Sequence, residues 1–207
     1  MDINKEYTEL QYFGSINLYS TLINRTNVFF LPDVPFKKAL HPNRQKLMGA
    51  NSPLLLTVPL VGGRDQKQKL KDVQISYTDP WQRIHWRGIV SNYRKSPWFE
   101  EYAPQLEMLF QLNKKFLIDL NLKTMEWVIE KLKLKLDILA DVENSNNSVR
   151  STGSHQKIEI SPIKYPIYTQ VFSDKYGFIP NLGILDLLFC KGPFALEYLA
   201  SVSRLSN

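Results

Sequence analysis

Between residues 7 and 31 the hydrophobic pattern changes its period twice. Residues 7–13 (YTELQYF) read as a short strand running into a turn. Residues 15–25 (SINLYSTLINR) carry Ile16, Tyr19, Leu22 and Ile23 at helical spacing, with Ser15 where a capping side chain belongs. Residues 28–31 (VFFL) are apolar throughout, as in a strand covered on both faces. A strand, a helix and a strand in so short a span make a βαβ-like unit, which requires a sheet with helices packed on it.

The remaining segments extend this pattern. Residues 36–51 are basic and irregular, and Pro42 turns or extends the backbone there. Residues 54–60 (LLLTVPL) read as a second buried strand, and residues 70–77 (LKDVQISY) alternate as a half-buried strand does. Helices are expected over 81–94, with Asp79 as cap and Pro80 in the first turn, and from Ser96-Pro97 onward, with a restart at Pro104. A further break is expected at Asn121, before a helix carrying Met125, Val128, Ile129 and Leu132. Leu134, Leu136 and Ile138 return to period two and predict a strand. Residues 143–155, rich in Ser and Asn, read as an exposed loop between a body (1–142) and a C-terminal segment (156–207) with helices over about 184–189 and 194–203. The expected fold is a single α/β domain. It has a mixed, mainly parallel sheet flanked by helices, and the C-terminal segment packs back on it.

Composition narrows the function classes. One cysteine, Cys190, allows no disulfide within the chain, and no local histidine pair is spaced to hold a metal. No apolar run approaches the ~20 residues that span a bilayer, and the first residues lack the pattern of a signal peptide. The expectation is a cytoplasmic protein with no metal and no tightly bound cofactor. The net charge is +6, but residues 37–95 hold twelve basic residues and three acidic ones, a net of +9. Such an excess favours an anionic small-molecule partner. Nucleic acid is the weaker alternative, because the cations are scattered among apolar segments and no nucleic-acid motif is present.

The candidate chemistry falls in three places. His85, between Trp81 and Trp86, is an imidazole that can act as general acid or base. The alternative is a histidine satisfied by its aromatic neighbours. Asp33, Lys37, Lys38, Asn43 and Arg44 follow the carboxyl end of the 28–31 strand, where open α/β sheets bind ligands. Arg supplies a fork for carboxylate or phosphate, and Lys a point charge. Tyr93, Arg94, Ser96 and Tyr102 meet at a helix junction, where caps and core packing account for most of them. Cys190 reads as a buried thiol, and Asp186, among leucines, must find a partner. There is no phosphate-binding glycine loop, nucleophile elbow or dinucleotide fingerprint.

Five segments together resemble the WbqC-like proteins of the kind common in Bacteroidetes. They are QYFGSINLYSTLI, FKKALHPNRQKL, LLLTVPL, DPWQRIHWRGIVSNYRKSPWFEEY and YTQVFSDKYGFIPNLGILDLLFCKGPFALEYL. The chain departs from that pattern at His41-Pro42, at Gly183, where a serine is usual, and at Lys191, where a carboxylate is usual. The resemblance implies a protein of surface-polysaccharide (O-antigen-type) assembly, transferring a glycyl, aminoacyl or acyl group to an amino sugar. Its substrate would be a nucleotide- or lipid-linked sugar or an acyl donor, and a homo-oligomer is compatible with it. On that reading His85 is the general base, and Asp33 and Tyr93 assist catalysis. Lys37, Asn43, Arg44 and Trp81 bind substrate. The alternative is a non-catalytic protein that binds a sugar nucleotide or a protein partner.

Overall fold

The computed structural model describes residues 5–37, 40, 42–63, 67–142, 156–157 and 164–205. Lys38, His41, His155 and the expected loop 143–155 lie outside them.

The opening unit forms as expected. Strand β1 (Glu6–Tyr7) leads through a loop into helix α1 (Ile16–Leu22), and β2 (Asn27–Phe30) returns beside β1 in parallel, with Tyr7 opposite Phe29. Helix α1 starts at Ser15, whose Oγ accepts from the Leu18 N–H at 3.1 Å. A second cap comes from far along the chain, as Asn181 Oδ1 accepts from the Asn17 N–H at 3.0 Å. The expected strand over 7–13 is cut to two residues. Phe13 and Gly14 take positive φ, which turns the chain from the sheet into the helix.

Strand β5 (Asp137–Ala140) joins β2 in parallel, and β6 (Gln156–Lys157) joins β1 in parallel, giving a four-stranded parallel sheet in the order β5-β2-β1-β6. The antiparallel part of the mixed arrangement is separate, a hairpin of β3 (Arg44–Leu47) and β4 (Leu54–Thr57) in which Arg44 faces Thr57.

Helices α2 (Trp81–Tyr93), α3 (Phe99–Phe110) and α4 (Leu117–Lys131) form the middle of the chain. Three local expectations are corrected. Asp79 does not cap α2: Pro80 holds the cap position, and the Asp79 backbone carbonyl accepts from Trp81 N–H. Helix α3 runs through Pro104 without restarting, and forgoes the one ladder bond that an N–H there would give the Glu100 carbonyl. Helix α4 runs through Asn121, whose Nδ2 donates to the Pro42 carbonyl at 2.7 Å.

Residues 70–77 are also not a strand. Leu70–Asp72 is one turn of 3₁₀ helix, after which Gln74 and Ile75 make single bridges to two different partners, Phe116 and Leu60. The alternating burial is present there, but no continuous neighbour completes a ladder among the described residues.

A short helix α5 (Ser173–Tyr176) precedes α6 (Ile184–Lys191) and α7 (Ala195–Arg204). Both later helices pack on α1. The core is one continuous cluster joining Ile16, Tyr19 and Leu22 of α1 to Leu187, Leu188 and Leu199 of the C-terminal helices.

Candidate functional site

Two cavities adjoin at the carboxyl ends of β1 and β2, sharing Glu9 and Leu40 as a common wall. The larger, about 420 Å³, is the more polar of the two and within the size range of small-molecule sites. Its groups come from three distant segments: Glu9, Gln11 and Ser15; Arg44, Gln45 and Lys46; Pro180, Asn181 and Gly183. Strand periodicity places Arg44 and Lys46 on one face of β3 and turns Gln45 and Leu47 inward. Arg44 is half-buried, and its Nε has no hydrogen-bond partner among the described residues. The smaller cavity, about 210 Å³, is lined mainly by apolar side chains, with the exposed Lys37 at its edge.

The inner wall of the polar cavity is a backbone seam. Ser15 and Gly183 form an antiparallel bridge, with Ile16 N–H donating to the Leu182 carbonyl at 3.1 Å and Ile184 N–H to Gly14 at 3.0 Å. The Gly183 N–H also donates to the Lys46 carbonyl at 2.6 Å. The amide of Gln45, only 2% exposed, donates to the carbonyls of Gly14 (3.1 Å) and Tyr12 (3.3 Å). It therefore ties the loop after β1 to the hairpin.

Of the seven residues the sequence singled out, Arg44 lines the polar cavity and Lys37 the apolar one. Four others stand in the protein interior, and three of these hold the hairpin that carries Arg44. Asn43 Nδ2 donates to the Val58 carbonyl at 2.8 Å. The Tyr93 hydroxyl accepts from Met48 N–H at 2.7 Å, just past the end of β3. The buried His85 ring bonds to the backbone carbonyl of Thr57, the residue paired with Arg44, while its Nδ1 lies 3.2 Å from the Tyr12 hydroxyl. A carbonyl only accepts, so the neutral ring donates to Thr57 and accepts from Tyr12. Burial pulls the imidazole pKa down to about 4. Trp81 packs edge-on against both His85 and Tyr12. His85 lines neither cavity.

The seventh, Asp33, follows β2 as expected and is held by Lys69 (2.8 Å) and Lys71 (2.6 Å). Hydrogen bonds from these two ammonium groups bring its carboxyl down to about 2.

A buried polar centre lies deeper. Asp186, fully buried in the first turn of α6, accepts from the Tyr93 and Tyr168 hydroxyls, each at 2.6 Å. Desolvation raises its carboxyl pKa to about 6 despite both bonds. Cys190 lies near it, and burial raises its thiol further above the usual range.

Glu9, Gln11, Lys46 and Asn181 were not anticipated as site residues. The signal for the first two was present: Glu9 and Gln11 alternate with Leu10 and Tyr12, as polar residues on the open side of an extended segment do. Asn181 belongs to the cavity through a contact between chain ends that spacing does not reveal.

No group of three or more metal-ligating side chains occurs among the described residues. No helix among them is long and apolar enough to cross a membrane.

The fold and cavity define a mixed α/β protein with a small-molecule-sized polar site beside a parallel sheet. Residues 11–161 match the model of the WbqC-like protein family, and the chain belongs to that family. The chain is also similar to the uncharacterized protein Rv1507c of Mycobacterium tuberculosis, at 28% identity over 216 aligned positions covering 87% of this chain and 91% of the relative. No solved structure matches.

Proposed function

We propose that this protein is a transferase of surface-polysaccharide assembly, moving an acyl or aminoacyl group onto the amine of an amino sugar. The observation that carries the reading is the polar cavity, where Arg44 and Lys46 stand on one strand face and Glu9 shares the lining. The two cations hold the anionic part of a nucleotide- or lipid-linked substrate, and Arg44 offers bidentate geometry. Gln11 and Asn181 are amides suited to sugar hydroxyls.

In the transfer, the amine nitrogen attacks the donor carbonyl carbon. A C–N bond forms, and the bond from that carbon to the donor's oxygen or sulfur leaving group breaks. Glu9 accepts the amine proton and returns it to the leaving group. Asn43, His85 and Tyr93 act as positioning residues through the hairpin, with Trp81 packed behind them. Lys37, at the edge of the apolar cavity, adds a cation to the site, and Asp33, held by Lys69 and Lys71, braces the chain after β2.

A second reading has an observation behind it. Among the described residues, neither histidine nor cysteine lines the polar cavity. The cavity is richer in binding groups than in catalytic ones, as a non-catalytic sugar-nucleotide-binding protein would be.

A thermal-shift screen against nucleotide sugars, amino sugars and acyl or aminoacyl donors tests the proposal. A ligand at 100 times its Kd adds about 2.7 kcal/mol of stability. A shift that is lost in Arg44→Ala and Lys46→Ala supports it. A shift unchanged in both variants refutes it. Turnover of the bound pair then separates transferase from binder.

A further inference from the structure

The smaller cavity lies directly beside the polar one, yet nothing in the proposed sugar chemistry calls for it. Tyr7, Leu10, Phe30, Val34, Phe36 and Leu70 supply much of its lining, so it offers a ligand mainly dispersion contacts, with Thr8, Glu9 and Lys37 as its polar groups. At about 210 Å³ it exceeds an apolar cavity of about 150 Å³ that takes up benzene, so a chain of roughly six carbons fits. Glu9 and Leu40 form the wall it shares with the polar cavity. On the other side of these residues stand the cations Arg44 and Lys46. A glycyl group has no side chain to place there, and a sugar ring would lose its water without replacement bonds.

We infer that this cavity is an acyl-chain pocket, holding a short aliphatic chain whose carbonyl end lies beside Glu9 and Leu40, on the side of the polar cavity. The inference rests on the reading above only in naming the chain as the group to be transferred. The pocket itself stands on its lining and its position. It selects chain length, as burial of each methylene contributes about 0.8 kcal/mol, a factor of about four in affinity.

The test is an NMR chemical-shift titration of the full chain with acetate, butyrate, hexanoate and octanoate, beside glycine. The expected result is a gain of about 15-fold for the two methylenes between butyrate and hexanoate. A smaller gain should follow from hexanoate to octanoate, once the pocket is full. Shifted amides should cluster at Leu10, Phe30, Val34 and Leu70. Val34→Trp, which fills the cavity, should abolish the length dependence. Equal affinity across the series overturns the inference, and so do shifts that cluster elsewhere or a gradient that survives in a folded Val34→Trp protein. Should that variant not fold, the wild-type gradient and shift map decide alone. Arg44→Ala separates the two readings. An equal loss at every length with the gradient intact supports both. An unchanged affinity with the gradient intact refutes the anion-holding role and leaves the chain pocket standing.

Discussion

Gly183 lies against the buried side chain of Gln45, and its surroundings show what a side chain there would cost. Its backbone, at φ −65° and ψ 153°, is open to any residue, so Gly183→Ala introduces no dihedral strain. The added Cβ would fall inside the side-chain amide of Gln45. Gln45 is buried and bonded to the Gly14 and Tyr12 carbonyls, so it must break both bonds to move. Two bonds at about 1 kcal/mol each, plus about 1–2 kcal/mol for overpacking, give a loss of about 3–4 kcal/mol. With a urea m-value of about 2 kcal/mol/M, the unfolding midpoint falls by about 1.5–2 M at constant m. Gln45→Ala alone removes the same bonds. Adding Gly183→Ala to it should then cost nothing further, leaving an interaction energy of about 2 kcal/mol or more in the double-mutant cycle. A Gly183→Ala midpoint within about 0.2 M of wild type, or additive effects in the cycle, would refute the argument.

Other outcomes follow from the same geometry. His85 has its pKa lowered from 6.5 to about 4, so its contribution to stability is lost as pH falls through that window. Asp186 has its pKa raised from 3.8 to about 6, so acidification through that window is stabilising. Each contributes about 3 kcal/mol, with opposite sign. His85→Gln should therefore gain stability between pH 7 and pH 4.5 relative to wild type, and Asp186→Asn should lose it. Urea midpoints at the two pH values read both, and parallel curves for all three proteins would contradict the assignment. Gly192 has φ +53° and lies against the Trp98 ring, so Gly192→Ala should cost about 3–5 kcal/mol by urea unfolding. Lys69→Met removes one half-exposed partner of Asp33 and should change stability by less than about 1 kcal/mol, since Lys71 stays in place.

What the sequence could convey follows the range over which each signal acts. Helices α1, α2, α6 and α7 were legible from apolar spacing within a few turns, and β2 and β4 from short apolar runs. The strand expected at 70–77 failed because alternation reports burial, whereas a strand also needs a continuous neighbour. Asn121 and Pro104 read as breaks because local propensity disfavours them. In the fold, Asn121 bonds to the Pro42 carbonyl and Pro104 falls early in its helix, so neither interrupts anything. In the candidate site, Arg44 was legible as a basic residue after a strand. His85, Asn43 and Tyr93 were legible as polar groups in apolar surroundings, but not as ties to one hairpin. Gly183 belongs to the cavity through pairing with Ser15 and Asn181 through capping Asn17, and no local pattern encodes that distance.

The sheet order has a consequence for biosynthesis. Strand β1 is flanked by β2, made shortly after it, and by β6, made about 150 residues later. Its neighbour α1 is capped by Asn181 and covered by α6 and α7, made later still. At about 5–20 residues per second, the nascent β1–α1 unit waits roughly 10–30 s on the ribosome before its second strand partner emerges. During that wait one edge of β1 and much of the apolar face of α1 have no partner. Such long-range closure slows folding. The growing chain should therefore engage holding chaperones through its first thirty residues, and release them only when the C-terminal helices arrive.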